Sequence, residues 1–190
     1  MMDTRSKILH AALHLFADYG YDAVGVQTIV EAVDITKPTL YHYFGSKKGL
    51  FDTLIREESD GFMHTLQEVA AYRGNITQSI NDVVKAYFNY ADANPAFYRM
   101  LLGMWFAPPE SEYFDSVYGL LHQQYLLLEA LFYAAANDHG NMKGRHQQYA
   151  VSLKGLIDTY IGLALQRDVS LKADELKYRI VHQFMHGIFS

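Results

Sequence analysis

TKPTLYHYFGSKKGLF, residues 36–51, reads as two helix starts in close succession. Thr36 and Ser46 are N-cap residue types, and each opens a short apolar-periodic run. The residues that follow the caps are Lys37 in one case and Lys47 and Lys48 in the other. A helix N-terminus carries about half a positive charge and prefers Asp or Glu beside it. Cations at two successive starts are therefore unfavourable in isolation. They become favourable where an external anion occupies the exposed backbone N–H groups. Pro38 fits the first turn, where the missing N–H has no intrahelical partner to lose.

Immediately upstream, VQTIVEAV (26–33) places Val26, Ile29, Val30 and Val33 at helical spacing. A helix over 26–33, the break DIT at 34–36 and a helix over 37–44 make a helix-turn-helix, whose second helix enters the DNA major groove. Leu40 and Phe44 can pack inward against Ile29, Val33 and the first helix. The opposite face presents Lys37, Pro38, Tyr41 and His42, with Thr39 and Tyr43 at its margins. A solvated face with ordinary surface lysines is the competing reading, and spacing alone does not separate the two. The lysines at the caps favour phosphate, because phosphate is the anion their positions lack.

The remainder of the chain is also helical in pattern. Helices are expected at 4–19, where Ile8, Ala12, Leu15, Phe16 and Tyr19 form a stripe that ends at Gly20, and from Ser46 to about Tyr72. Further stretches fall at about 76–93, 95–106, 111–136, 145–166 and 172–188. β-branched residues nowhere alternate with period two, so the expected fold is all-α with nine helices and no strand. The chain has 190 residues, half of them hydrophobic, and no cysteine. Disulfides, thiolate metal sites and cysteine nucleophiles are thereby excluded. MMDTRSKILH lacks the apolar core of a signal peptide, and LLLEALFYAAA is too short for a membrane span. These features imply a cytoplasmic protein without membrane association. The net charge of −5 argues against coating nucleic acid through bulk positive charge. Residues 1–50 balance Arg5, Lys7, Lys37, Lys47 and Lys48 against Asp3, Asp18, Asp22, Glu31 and Asp34, so the excess negative charge lies entirely in 51–190.

The opening stretch resembles the tetracycline-repressor (TetR/AcrR) family of bacterial transcriptional regulators. The matching residues are ILHAALHLFADYGYDAVGVQTIVEAV followed by DITKPTLYHYFGSKKGLF, about 8–51. The resemblance implies a homodimer with a helix-turn-helix DNA-binding domain at 1–50 and a ligand-binding and dimerisation domain at 51–190. Carried over by position, it assigns base contacts to Lys37, Pro38, Thr39, Tyr41 and His42. Gln27 and Thr28 reach bases or phosphate, and Tyr43 and Lys47 hold phosphate. Two positions depart from the family pattern: Gly25 stands where a hydroxyl cap is usual, and Asp34 where the turn usually has Gly.

Residues 86–133 are rich in aromatics, which form either a bulky core or an apolar cavity with a few phenols and an imidazole fixing a ligand. The family places its pocket among these helices, and on that reading Tyr98, Trp105, Tyr118 and His122 line it. Helix 145–166 is apolar almost all round and carries Gly155 and Gly162. It is either a central buried helix or, with Ile180, Phe184 and Ile188 of the last helix, half of a dimer interface. His10 and His14, and His182 and His186, have the i, i+4 spacing of metal ligands but no third ligand nearby in sequence, so no metal and no cofactor are expected. No catalytic constellation stands out, and enzyme function has no support. The expected function is a repressor that binds a palindromic double-stranded DNA operator and is released by a small apolar or aromatic effector. A regulator without a small-molecule ligand and an all-α enzyme using the aromatic cavity are the alternatives.

Overall fold

A computed structural model describes residues 3–187. Ile188 lies outside them. Nine α-helices occur among the described residues, with no strand. They are α1 (Thr4–Tyr19), α2 (Val26–Ala32), α3 (Lys37–Phe44), α4 (Lys47–Val69), α5 (Ile76–Ala93), α6 (Pro95–Met104), α7 (Phe114–Ala135), α8 (His146–Leu165) and α9 (Asp174–His186). A single 3-10 turn, Gly140–Met142, precedes α8. No described helix is long and apolar enough to cross a membrane.

The helix ends follow from local chemistry. The Asp3 side chain accepts from the Ser6 amide at 2.7 Å and caps α1, and these hydrogen bonds hold its carboxyl below the usual range. Gly20 closes the same helix at φ 80°, a conformation that favours glycine. Asn75 caps α5 by accepting from the Gln78 amide at 3.0 Å. Several expected boundaries move inward, three of them for visible reasons. Helix α4 stops at Val69 rather than near Tyr72, ahead of Arg73-Gly74. Helix α6 stops at Met104, leaving Trp105 and Phe106 in a turn before Pro108. Residues 108–114 then make two tight turns, Ser111 N–H to the Pro108 carbonyl and Phe114 N–H to the Ser111 carbonyl, so α7 begins at Phe114 rather than 111.

The chain packs as two compact units, neither of them a single stretch of sequence. The first contains the residues up to Asp60 together with Ala96–Leu120; the second contains Gly61–Pro95 and the residues from Leu121 onward. The sequence reading instead draws one boundary at residue 50, inside the unbroken α4.

In the first unit α2 packs on both α1 and α3. Ile8, Ala12, Phe16, Ile29, Leu40, Leu50 and Phe51 are all buried. Phe16, Tyr21, Phe51 and Tyr113 form a ring cluster with centroid separations from 5.0 to 6.0 Å. Tyr19 leaves the expected stripe and is 68% exposed. In the second unit α5 packs against α8 and α9. It contributes Ile80, Val83, Val84, Tyr87 and Phe88, all fully buried.

Candidate nucleic-acid interface

Helix α3 is set between two turns that its own sequence dictates. Before it, Asp34 adopts φ 53°, the left-handed conformation that the family's usual glycine would enter more easily. After it, Gly45 adopts φ 74° and donates its N–H to the Tyr41 carbonyl at 2.8 Å. Ser46 then caps α4 by accepting from the Gly49 amide at 2.9 Å. The connection leaves no room at Gly49, where a Cβ would stand 2.1 Å from the Phe44 carbonyl oxygen. Gly25 precedes α2 without a side-chain cap, as its composition requires.

With Leu40 and Phe44 buried, the rest of α3 faces outward. Lys37, Pro38, Tyr41, His42 and Tyr43 are exposed and Thr39 is half-buried. Tyr41 and Tyr43 expose 45% and 43% of their surface. Gln27 and Thr28 are exposed on the first turn of α2, and the Gln27 amide donates to Glu31 Oε1 at 2.5 Å. Thr36 does not cap α3 with its side chain. Its hydroxyl lies 3.0 Å from that of Thr39 instead, which leaves the first amides of α3 without that partner.

The three lysines at the helix starts have different fates. Lys37 has no acidic partner among the described residues and stands beside the uncapped α3 start. Lys48 bonds both oxygens of Asp52, at 2.8 and 2.6 Å, while Ser116 donates to the same carboxylate. Lys47 is half-buried with its ammonium 3.9 Å from the centre of the Tyr21 ring. Burial pulls its pKa down, against the pull of Asp22 and Glu112. The Tyr21 phenol donates to Glu112 at 2.7 Å, and burial followed by that bond pushes its pKa far above the usual value. Lys37 thus keeps the imbalance that the sequence implies, whereas Asp52 pairs Lys48 and Asp22 and Glu112 act on Lys47 at longer range. The Lys48–Asp52 pair was legible as i, i+4 spacing; Tyr21, Glu112 and Ser116 carry no sequence signal for this role.

Tyr98 is buried, whereas Trp105 and Tyr118 are 40% and 52% exposed and His122 is exposed. Trp105 lies beyond the end of α6, and Tyr118 stacks on Phe114 at 5.3 Å on the surface of α7. None of the four lines the cleft of about 330 Å³ in the first unit, between Tyr19–Ala23 and Arg99–Met104. None lines the cleft of about 580 Å³ in the second unit, between the ends of α5 and α8 and residues 167–172.

Of the expected dimer residues, Gly155 is exposed with nothing within 4 Å of an added Cβ, and Gly162 is half-buried. Ile180 is buried within its own chain, so it belongs to the core and not to an outer face. The Phe184 ring lies 6.0 Å from Phe132 and 6.4 Å from Tyr149. The outward line of α8 runs through Val151, Gly155, Thr159 and Leu163, and α9 exposes Tyr178. The rings of the histidine pairs lie tilted to each other with centroids 4.6 Å (His10, His14) and 4.5 Å (His182, His186) apart. No group of three or more metal-ligating side chains forms among the described residues.

Residues 8–54 match the family of bacterial regulatory proteins designated the tetR family. Among characterised relatives, the HTH-type transcriptional activator FasR of Mycolicibacterium smegmatis is 26% identical over 99 residues, which cover 52% of this chain and 45% of FasR. The match thus spans less than half of that relative's length. In fold, the chain is similar to a Clostridium perfringens protein proposed to regulate fatty acid metabolism (TM-score 0.85, 21% identity, 97% of this chain and 99% of the other). It is also similar to the regulator FadR of Bacillus subtilis, solved with stearoyl-CoA (TM-score 0.78, 16% identity, 96% and 98% covered). The helix-turn-helix segment, residues 8–54, thus matches the tetR family of bacterial regulatory proteins, and the chain as a whole shares the fold of the solved regulators.

Proposed function

We propose that the chain is a cytoplasmic, homodimeric, ligand-responsive transcriptional regulator. On this reading it is a repressor that holds a palindromic double-stranded DNA operator and leaves it when a small apolar or aromatic effector binds. The observation that carries the reading is the outward face of α3, where Lys37, Pro38, Tyr41, His42 and Tyr43 stand exposed beside an uncapped helix start. Basic and hydroxyl groups on such a face can contact phosphate and base edges together. Gln27, Thr28, Thr39 and Lys47 complete the proposed contact set. We assign DNA contact to residues 1–50 and effector binding and dimerisation to 51–190.

Dimerisation would place two copies of α3 about 34–36 Å apart, on successive major grooves. The exposed apolar line of α8 with Tyr178 of α9 supports that interface, with Gly155 and Gly162 allowing close approach. Effector control follows if a small molecule binds the two spacings with different affinity. The stearoyl-CoA in the FadR structure supports an apolar effector in this fold. A regulator without a small-molecule ligand is the second reading, and the surface positions of Trp105, Tyr118 and His122 favour it.

Titration of fluorescent genomic fragments with Lys37→Ala and Tyr41→Ala tests the DNA assignment. Lys37→Ala should weaken all bound sequences about equally and lower the salt slope by roughly one. Tyr41→Ala should reduce discrimination between fragments. Wild-type affinity in both variants would remove α3 from the interface.

A further inference from the structure

The second unit encloses four polar side chains that DNA binding does not use. Tyr87 on α5 is fully buried and donates its phenol to Gln124 Oε1 on α7 at 3.1 Å. Lys154 on α8, 4% exposed, bonds both oxygens of Asp158 at 2.6 Å. Its ammonium lies 5.2 Å from the centre of the Tyr87 ring. Three helices thus bring a phenol, a carboxamide, an ammonium and a carboxylate into a largely apolar core. Stability does not explain the group, because well-packed apolar residues of similar volume often replace a buried ion pair without loss.

The donor inventory is uneven. Gln124 is only 2% exposed, and its Oε1 is occupied by Tyr87. Its Nε2 carries two N–H donors and has no partner among the described residues. No completely enclosed side-chain N or O of the described residues lacks a partner. The Nε2 atom is therefore not completely enclosed, although the residue lies in the core.

We propose that Gln124 Nε2 is the polar anchor of a small-molecule site in the second unit, and that its ligand is an apolar molecule bearing a neutral carbonyl, such as an ester, thioester, amide or ketone. The proposal rests on the effector reading above and names the class of molecule. An alkane leaves the amide donors unpaired, which is unfavourable in a core. A carboxylate brings a charge into surroundings where Lys154 and Asp158 already cancel each other, so it enters with no compensating cation. A neutral carbonyl accepts the hydrogen bond without either penalty.

Methyl octanoate, octanoate and nonane serve as probes in calorimetric and thermal-unfolding titrations of the full chain. The ester should bind roughly three- to tenfold more tightly than nonane, the worth of one buried hydrogen bond. Gln124→Leu should bring that ratio near one and leave nonane binding unchanged. Should this variant fail to fold, Tyr87→Phe, which frees the carboxamide from its fixed orientation, should lower the ratio without abolishing it. Equal binding of ester and alkane, a ratio unmoved in the variants, tighter binding of octanoate, or binding of no probe would each overturn the proposal. Ester binding that depends on Gln124 but leaves DNA affinity unchanged would support the anchor and contradict the effector reading.

Discussion

Replacing Gly49 by alanine should destabilise the protein although alanine is the better helix former. Gly49 lies in the first turn of α4, and an added Cβ would sit 2.1 Å from the Phe44 carbonyl oxygen and 3.3 Å from its carbon, where ordinary contact begins at 3.4 Å. The obstacle is backbone, and it is held. The same carbonyl accepts the Ser46 amide at 2.8 Å, and Gly45 bonds Tyr41 across the turn at 2.8 Å. Relief requires the α3–α4 turn to open by about an ångström. Helix propensity alone predicts a gain of about 0.8–1 kcal/mol for Gly→Ala. Overpacking of this kind costs about 1–3 kcal/mol, and an immovable partner puts it at the upper end. The net expectation is a loss of about 1–2 kcal/mol, or roughly 2–8 °C in Tm for a chain of this size. Gly61→Ala, in the same helix, is the control, because nothing lies within 4 Å of its added Cβ. It should hold or raise Tm. At temperatures where both variants are folded, Gly49→Ala should also bind DNA more weakly, since the displaced turn carries the end of α3. A Tm for Gly49→Ala equal to or above that of Gly61→Ala would refute the reasoning.

Lys154→Met alone should cost about 3–5 kcal/mol in denaturant unfolding, because Asp158 loses the ammonium that bonds both of its oxygens; Lys154→Met with Asp158→Leu should recover most of the loss. Arg5 bonds both carboxylate oxygens of Glu57, at 3.0 and 2.5 Å, and that interaction first of all holds the Glu57 pKa below the ordinary glutamate value. Stability from this pair is present above the unfolded-state pKa and is lost as pH falls through the lowered folded-state value. Glu57→Gln should flatten the acid limb of Tm against pH, by less than about 1 kcal/mol because the pair is well exposed to solvent. Charge at Gly155, as Gly155→Glu, should leave the single chain folded, since the added side chain meets open space there, and should shift sedimentation toward the monomer.

Local pattern made the helices legible. Val26, Ile29, Val30 and Val33 announced α2, and Pro38 after Thr36 announced α3, because periodicity and caps act within one or two turns. The left-handed Asp34 could likewise be anticipated from the single missing glycine. Partners distant in sequence were not legible. Lys47 looked unbalanced because Tyr21 approaches it only in the fold, and nothing local signals that Ser116 donates to the Asp52 partner of Lys48. Ile180 has the periodicity of an interface residue and of a core residue alike, and its burial in the chain decides between them. Trp105 and Tyr118 are aromatic in an aromatic-rich region, but composition does not say which face of a helix turns inward. Gln124 and Lys154 read as unremarkable polar positions on long helices, and only their burial marks them.

Selection of bound duplexes from random DNA by the purified full chain, followed by footprinting of the enriched sequence, tests the central claim most directly. The account predicts enrichment of an inverted repeat, protected in two patches about one helical turn apart, and loss of that enrichment with Lys37→Ala and Tyr41→Ala combined. Recovery of no preferred sequence, or of an inverted repeat that the double variant binds as tightly as the parent, would contradict it.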